Sequence, residues 1–185
     1  MSDLDTAQGT LNKLTDRDVR ILFLPSMTVA SIHIQKGLGD SEGECHHILD
    51  SFVKKHRLTE RKADLRHFGF NHPDGDPVSG SYHGYEMWVS IPEDLEVEKP
   101  LQKKLFPGWL YAAPMIPMGA FEEWEWLFDW IGRSESFEFD KERDDPECQH
   151  GMLEEGLNYG YRLDAGLGEE GVQLDLLLPV RCKKK

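Results

Sequence analysis

The chain contains no run of about 18 apolar residues, so nothing in it reads as a membrane span. Its opening stretch, Met1 to Asp18, is polar and has no apolar signal segment. Cysteine is scarce. Cys45, Cys148 and Cys182 are far apart and odd in number, which implies no disulfide framework and points to a reducing, cytoplasmic setting. Positive charge is in deficit: the formal net charge is -13. Such a surface repels a phosphate backbone, so direct nucleic-acid binding is not expected. Lys183, Lys184 and Lys185 form a basic tip that reads as a solubilising tail. Neither a phosphate loop nor a dinucleotide fingerprint is present, and there is no Ser-His-Asp order or nucleophile elbow. Metal-ligand spacing is missing as well. Cys45, His46 and His47 are adjacent on a helix and point apart, while Cys148 and His150 have no partner pair at zinc spacing. No cofactor and no metal are expected.

What the chain does have is enough apolar material for one core, 39% hydrophobic and 10% aromatic over 185 residues. Its most informative stretch is residues 82–92. Tyr85, Met87, Val89 and Ile91 alternate there with Glu86, Trp88 and Ser90, the period of a strand with two different faces. Both faces carry aromatics and one adds a carboxylate. That pattern suits a strand with one face on a core and the other on an aromatic cavity.

The remaining elements follow from period and punctuation. Residues 1–17 read as a flexible leader. Val19, Ile21 and Phe23 alternate, Pro25 breaks the run and Thr28 to Ile34 resumes it, giving two short strands or one bent strand. Cys45, Ile48, Leu49, Phe52 and His56 fall on one face of a helix from about Glu42 to Lys55, with Asp40 or Ser41 as N-cap. Arg66 to Asn71 is a strand, ended by the turn-rich His72–Gly80 segment. A second round begins after the polar Glu93–Lys103 connection. Leu105 to Ala113 is a strand around Pro107-Gly108, Gly119 to Arg133 a helix, Glu138 to Gln149 loop-like, and Met152–Asn158 and Val172–Val180 two strands. A glycine-rich loop joins those two. The order strand-helix-strand-strand thus occurs twice, which predicts an α+β fold with pseudo-twofold symmetry: an antiparallel sheet carrying two helices. In the second helix Phe121, Trp124, Leu127, Phe128 and Ile131 make the apolar face. Trp126 and Trp130 lie on the other side among acids. Either a loop over 135–149 covers them, or they form a homodimer or partner contact.

With the elements in place, several phrases resemble the GyrI-like, AraC effector-binding domains. Asp18–Gly37 is similar to that family's opening strand pair. Phe68-Gly-Phe-Asn-His-Pro73 and Gly84-Tyr-Glu-Met-Trp-Val-Ser-Ile-Pro92 resemble its middle strands, and Phe106-Pro-Gly-Trp-Leu-Tyr-Ala112 its fourth. Leu153-Glu-Glu-Gly-Leu-Asn158 and Leu174-Asp-Leu-Leu-Leu-Pro-Val180 resemble its closing pair. The likeness spans residues 18–182, leaving 183–185 as the tail. It implies two strand-helix-strand-strand repeats, a concave sheet and a central pocket for small, often cationic or amphipathic molecules. Many relatives carry the domain fused to a DNA-binding domain in transcription regulation or multidrug binding; this sequence looks like a stand-alone version. Other stand-alone members bind gyrase or hydrolyse reactive small molecules.

The family commonly aims a glutamate of the penultimate strand into the pocket. Glu154 and Glu155 compete for that place. Glu154 follows Leu153 as in the family phrase, and alternation turns it away from Leu153; Glu155 shares the leucine's face. Gly156 stands where relatives often have an aromatic. A buried carboxylate among aromatics is a sensible cation site, because the guest restores the charged form that burial disfavours. Glu154 with Tyr85, Trp88, Trp109 and Tyr111 is the expected set. Glu86 is a second candidate, although it shares a face with Trp88 and not with Tyr85. The expected function is binding of a small amphipathic or cationic molecule. One alternative is hydrolysis in the same pocket, with Glu154 as base and Tyr111 or Tyr85 as acid. The other is an acidic interaction protein for a partner such as DNA gyrase.

Overall fold

A computed structural model describes residues 19–35, 40–73, 84–168 and 171–184. The expected leader, most of the turn-rich 72–80 stretch, and Tyr82 and His83 lie outside the described residues. The first half contains β1 (Arg20–Leu24), β2 (Met27–Ile34), α1 (Ser41–Lys55), α2 (Leu58–Arg61), β3 (His67–Asn71) and β4 (Tyr85–Ser90). The second contains β5 (Gln102–Phe106), β6 (Trp109–Ala113), β7 (Met115–Pro117), α3 (Glu123–Arg133), β8 (Phe137–Phe139), β9 (Leu153–Gly156), α4 (Tyr159–Ala165) and β10 (Gln173–Cys182).

The main strand order is β1-β6-β10-β9-β3-β4-β2-β5, antiparallel throughout, with β7 and β8 attached to β10. Counting outward from the central β3–β9 pair gives β4, β2, β5 on one side and β10, β6, β1 on the other. The two repeats are therefore related by a pseudo-twofold axis through that seam. Each repeat lends its opening strand to the other: β1 pairs with β6, and β5 with β2. Proline sets the exchange point in both. Pro25 separates β1 from β2 and Pro107 separates β5 from β6, each in a place where a ladder donor is not needed. Gly108 follows with φ of +85°, and a Cβ there would lie 2.8 Å from the Ser26 nitrogen.

The strands alternate as expected, and the sheet is buried on both faces. On one face α1 sets Cys45, Leu49 and Phe52 against Ala30, Ile32, Met87 and Val89. On the same face α3 sets Leu127, Trp130 and Ile131 against Ala112, Leu174, Leu176 and Leu178. The opposite face is filled by Leu24, Phe68, Phe70, Phe106, Tyr111, Leu153 and Leu177. β10 is covered on both sides, and every residue from Leu174 to Val180 is buried, which explains the apolar run from Leu176 to Val180; the buried Asp175 is paired with Arg20.

α1 starts where its cap dictates. The Asp40 carboxylate accepts a hydrogen bond from the Gly43 backbone N–H at 2.8 Å. Asp40→Ala is expected to cost about 1 kcal/mol of stability, read as a lower denaturation midpoint with unchanged slope.

Several sequence readings are corrected. α3 begins at Glu123, because residues 119–122 form turns. The stretch 138–149 contributes β8 residues to β10, and the glycine-rich segment holds α4, whose Gly166 ends the helix at φ of +64°. Trp130 is buried, 7% exposed, in the cluster on which Phe137 and Phe139 pack. Trp130 is therefore not available to a partner. Trp126 is half-buried, while Phe121 and Phe128, expected in the core, are exposed. α3 rests on its Leu127–Trp130–Ile131 edge, rotated from the face that the apolar spacing favours.

Candidate functional site

α1 covers β2 and β4, and α3 covers β6 and β10, so the β3–β9 seam between them is left to the short α4, whose Tyr159 stacks on His67. A cavity of about 310 Å3 lies there. Its floor is Glu154, which pairs across the seam with Gly69. The missing Cβ at Gly69 makes room for a neighbour: a Cβ would sit 2.5 Å from the Tyr85 hydroxyl. That hydroxyl donates to Glu154 Oε2 at 3.5 Å.

One wall is aromatic. The His67 ring stacks on Tyr159 at 4.3 Å and on His46 at 5.3 Å between centroids. Gly156 pairs with His67, and a Cβ on it would approach the His67 Nδ1 to 3.0 Å. The glycine that replaces the family's aromatic therefore leaves space that this ring stack borders. Tyr159 is fixed in turn by donating to Asp50 Oδ1 at 2.6 Å. The charged lining is mostly acidic: Glu42, Asp50 and Glu154 against Arg162.

These surroundings set the charge states. Burial, aided by the Glu42 charge, raises the Glu154 carboxyl to about 7, against opposing hydrogen bonds from Trp124, Tyr85 and Gln149. Burial and the neighbouring His46 hold His67 down at about 3, so its ring is neutral. The floor is thus a carboxyl poised between neutral and charged at physiological pH, under an acidic rim.

The sheet's alternation divides the expected set. Glu154 and Tyr85 share the cavity. Glu155 points to the other face, where it is 6% exposed and held by Arg66 in a two-pronged ion pair at 2.6 and 2.5 Å. That guanidinium makes a buried carboxylate tolerable on the leucine's face. Glu86 and Trp88 also face away, one residue out of phase with Tyr85. Tyr111 is fully buried in the cluster of that opposite face, and Trp109 packs against the same cluster while donating to Asp140 Oδ2 at 3.0 Å. The expectation of a single site containing Trp88, Trp109 and Tyr111 with Glu154 is therefore corrected, and Tyr111 does not meet Glu154. Two cavities lie on opposite faces, the second of about 340 Å3 beside Glu86 and Trp88.

Sequence reasoning missed Glu42, His67, Trp124, Gln149 and Tyr159. His67 could have been found, because it alternates with Gly69 on the face opposite Phe68 and Phe70. Gln149 carries no such signal; it sits in an irregular turn with φ of +47°.

The family model for integron-associated effector binding proteins, Cass2, matches residues 20–180. The chain belongs to this family. As a Cass2-type effector-binding domain it has the GyrI-like α+β fold that the sequence phrases implied. Its fold is similar to that of the EcmrR C-terminal domain, with a TM-score of 0.58 at 8% identity, covering 88% of this chain and 96% of that one. Whole EcmrR in a DNA complex gives 0.56 at 9%, covering 96% of this chain and 63% of that one. A hydrolase from Listeria innocua gives 0.57 at 13%, covering 95% and 98%. No curated protein matches the sequence significantly. At these identities the structural likenesses speak for the fold alone. Among the described residues of this Cass2-family chain, no helix is long and apolar enough to cross a membrane.

Proposed function

We propose that this effector-binding domain holds a small cationic, partly aromatic or amphipathic molecule in the cavity over the β3–β9 seam, with Glu154 as its counter-ion. The observation that carries this reading is the Glu154 carboxyl itself: half-buried at the floor of an acidic cavity, in hydrogen-bond reach of Tyr85, and raised to about 7. With no cation beside it, such an acid is about half protonated near pH 7. A cationic guest ionises it and gains a full charge pair in a medium less polar than water. Tyr85 and Tyr159 put aromatic rings on the cavity wall, and each aromatic contact with a cation contributes about 0.5–2 kcal/mol. A sensor or sequestering role follows from binding without a reaction, in a cytoplasmic protein.

The reading has a pH signature of definite sign. Lowering the pH through 7 protonates Glu154 and forces the guest to compete with a proton. Affinity for a monovalent aromatic cation should fall about tenfold for each pH unit below 7, with proton release on binding. The cavity's other titratable groups, Glu42, Asp50, His46 and His67, are present in both arms. Glu154→Gln should therefore remove the slope while leaving the fold. Titration of tryptophan and tyrosine fluorescence with a cationic dye between pH 5 and 8 measures it. A pH-independent affinity in the native protein would remove Glu154 from the role of counter-ion.

A further inference from the structure

The second cavity, on the face of the sheet away from Glu154, gathers a different chemistry. It is lined by His72, Glu86, Cys148, Lys104 and Arg143, with Phe70, Trp88 and Leu153 as its apolar side. Glu86 is 1% exposed and accepts hydrogen bonds from Ser31 at 2.6 Å, Lys104 at 2.5 Å and the Trp88 indole. Its other oxygen meets His72 Nδ1 at 2.7 Å. The opposite ring nitrogen, His72 Nε2, lies 3.7 Å from Cys148 Sγ. A carboxylate, an imidazole and a thiol thus stand in line at one cavity. His33 supports the arrangement from behind: its ring stacks on His72 at 3.9 Å, and its Nε2 bonds to the His72 carbonyl at 2.8 Å.

We infer that Cys148, His72 and Glu86 form a thiol acyl-transfer site, taking small activated acyl compounds, esters or thioesters, as substrates. The inference concerns a cavity separate from the cation site and does not depend on it. Glu86 accepts from Nδ1–H, which fixes the tautomer with a free lone pair at Nε2 facing the thiol. In the first step the Cys148 sulfur bonds to the acyl carbon while its proton passes to His72 Nε2. The carbonyl oxygen becomes the oxyanion, toward which Arg143, hydrogen-bonded to Tyr111 and 4.9 Å over the Trp109 ring, brings positive charge from the cavity wall, Lys104 being paired with Glu86. The oxyanion collapses, the bond to the alkoxide or thiolate leaving group breaks, and His72 returns the proton to that group. Water then attacks the acyl-cysteine, its proton going to His72. The acid departs and the sulfur recovers a proton. No oxidant or reductant takes part.

Glu86 and His33 are positioning residues in this scheme; Cys148 and His72 are the reacting pair. Ionised Glu86 does not itself need to take a proton, and its donors hold it in that form. Burial, then the charge of the Asp145 carboxylate and its hydrogen bond with the thiol, push Cys148 up to about 12, so the thiol is protonated at rest and must turn from Asp145 to His72 to react. The same burial makes the opposing expectation concrete: without the base, Cys148 is less reactive than Cys182, which is exposed.

Reaction of the whole chain with p-nitrophenyl acetate, followed by mass mapping of the acetyl group, separates the two. The proposal expects a burst of nitrophenolate, with acetyl on Cys148 at least about tenfold faster than on Cys182. In His72→Gln the Cys148 rate should fall about 100-fold while the Cys182 rate is unchanged, the scale of lost general-base assistance. Cys148→Ala should abolish the burst. Faster acetylation of Cys182, or a Cys148 rate indifferent to His72→Gln, overturns the proposal. Should that variant not fold, the ranking of the two thiols in the native chain decides alone.

Discussion

Glu154→Gln is expected to make the protein more stable at pH 8 while weakening its hold on a cation. The sign follows from linkage. The folded-state value, about 7, lies above the ordinary 4.5, so the native state binds more protons than the unfolded state between those limits. Stability contributed by this group is fully present below pH 4.5 and lost as pH rises through 7. The loss amounts to roughly 3 kcal/mol above pH 7. Glutamine mimics the neutral acid, with one acceptor and one donor, and removes that loss. A gain of roughly 2–3 kcal/mol at pH 8, vanishing near pH 4, should appear in denaturant midpoints. Cation affinity should fall about 30-fold or more, since one partner of a desolvated charge pair has gone. A variant less stable than the native chain at pH 8 would refute the burial argument.

The same variant exposes a second titration. His67 is held at about 3 rather than 6.5, so the unfolded state binds the extra proton over that range. Its contribution is present above pH 6.5 and lost as pH falls through 3. Between pH 4.5 and 6.5 the two slopes oppose each other, and the native chain should be nearly flat there. Glu154→Gln should then show stability rising with pH across that window. A site that binds cations at the expense of stability joins both observations to one cavity.

How much of this was legible in the sequence depends on which interaction carried the information. The alternation of Tyr85 to Ile91, the spacing of Cys45, Leu49 and Phe52, and the breaks at Pro25 and Pro107 are local. They gave the strand pairs, α1 and the duplicated order. Parity along β9 also separated Glu154 from Glu155, because successive side chains point to opposite faces. What parity along one strand does not reveal is which face of a distant strand shares the cavity. Trp109 and Tyr111 lie on β6, separated from β9 by β10. Their side chains follow the phase of the β6–β10 register, which no local pattern records. α4 was hidden for a different reason: Gly160 and Gly166 read as loop, yet Tyr159 and Leu163 pack that short helix against the α1 cluster, and tertiary burial outweighs the glycine penalty. Trp130 was misplaced because helical spacing alone allowed two apolar faces on α3, and packing on β6 and β10 decided between them.

Replacing Glu86 by leucine should be the most damaging single change on the opposite face. Glu86 is almost fully buried, yet its carboxyl is lowered to about 2: burial pushes it up, and hydrogen bonds from Lys104, Ser31 and Trp88 more than offset that. Leucine fits the volume but strands the donors. The Lys104 side chain is 37% exposed and turns to water, whereas Ser31 is 2% exposed and has no such exit. Removing one member of a buried charge network costs about 3–5 kcal/mol, and unsatisfied buried donors account for much of it. Lys104→Met should cost less, since the hydroxyl, indole and imidazole donors remain. The pH dependence has the opposite sign to that of Glu154. A depressed carboxyl contributes stability above pH 4.5 that is lost as pH falls through 2, so the native and Glu86→Leu chains should converge in acid. Equal midpoints at pH 7 would mean that the four donors around Glu86 do no more than hydrate a charge the fold could do without. Convergence absent in acid would assign the loss to packing instead of ionisation.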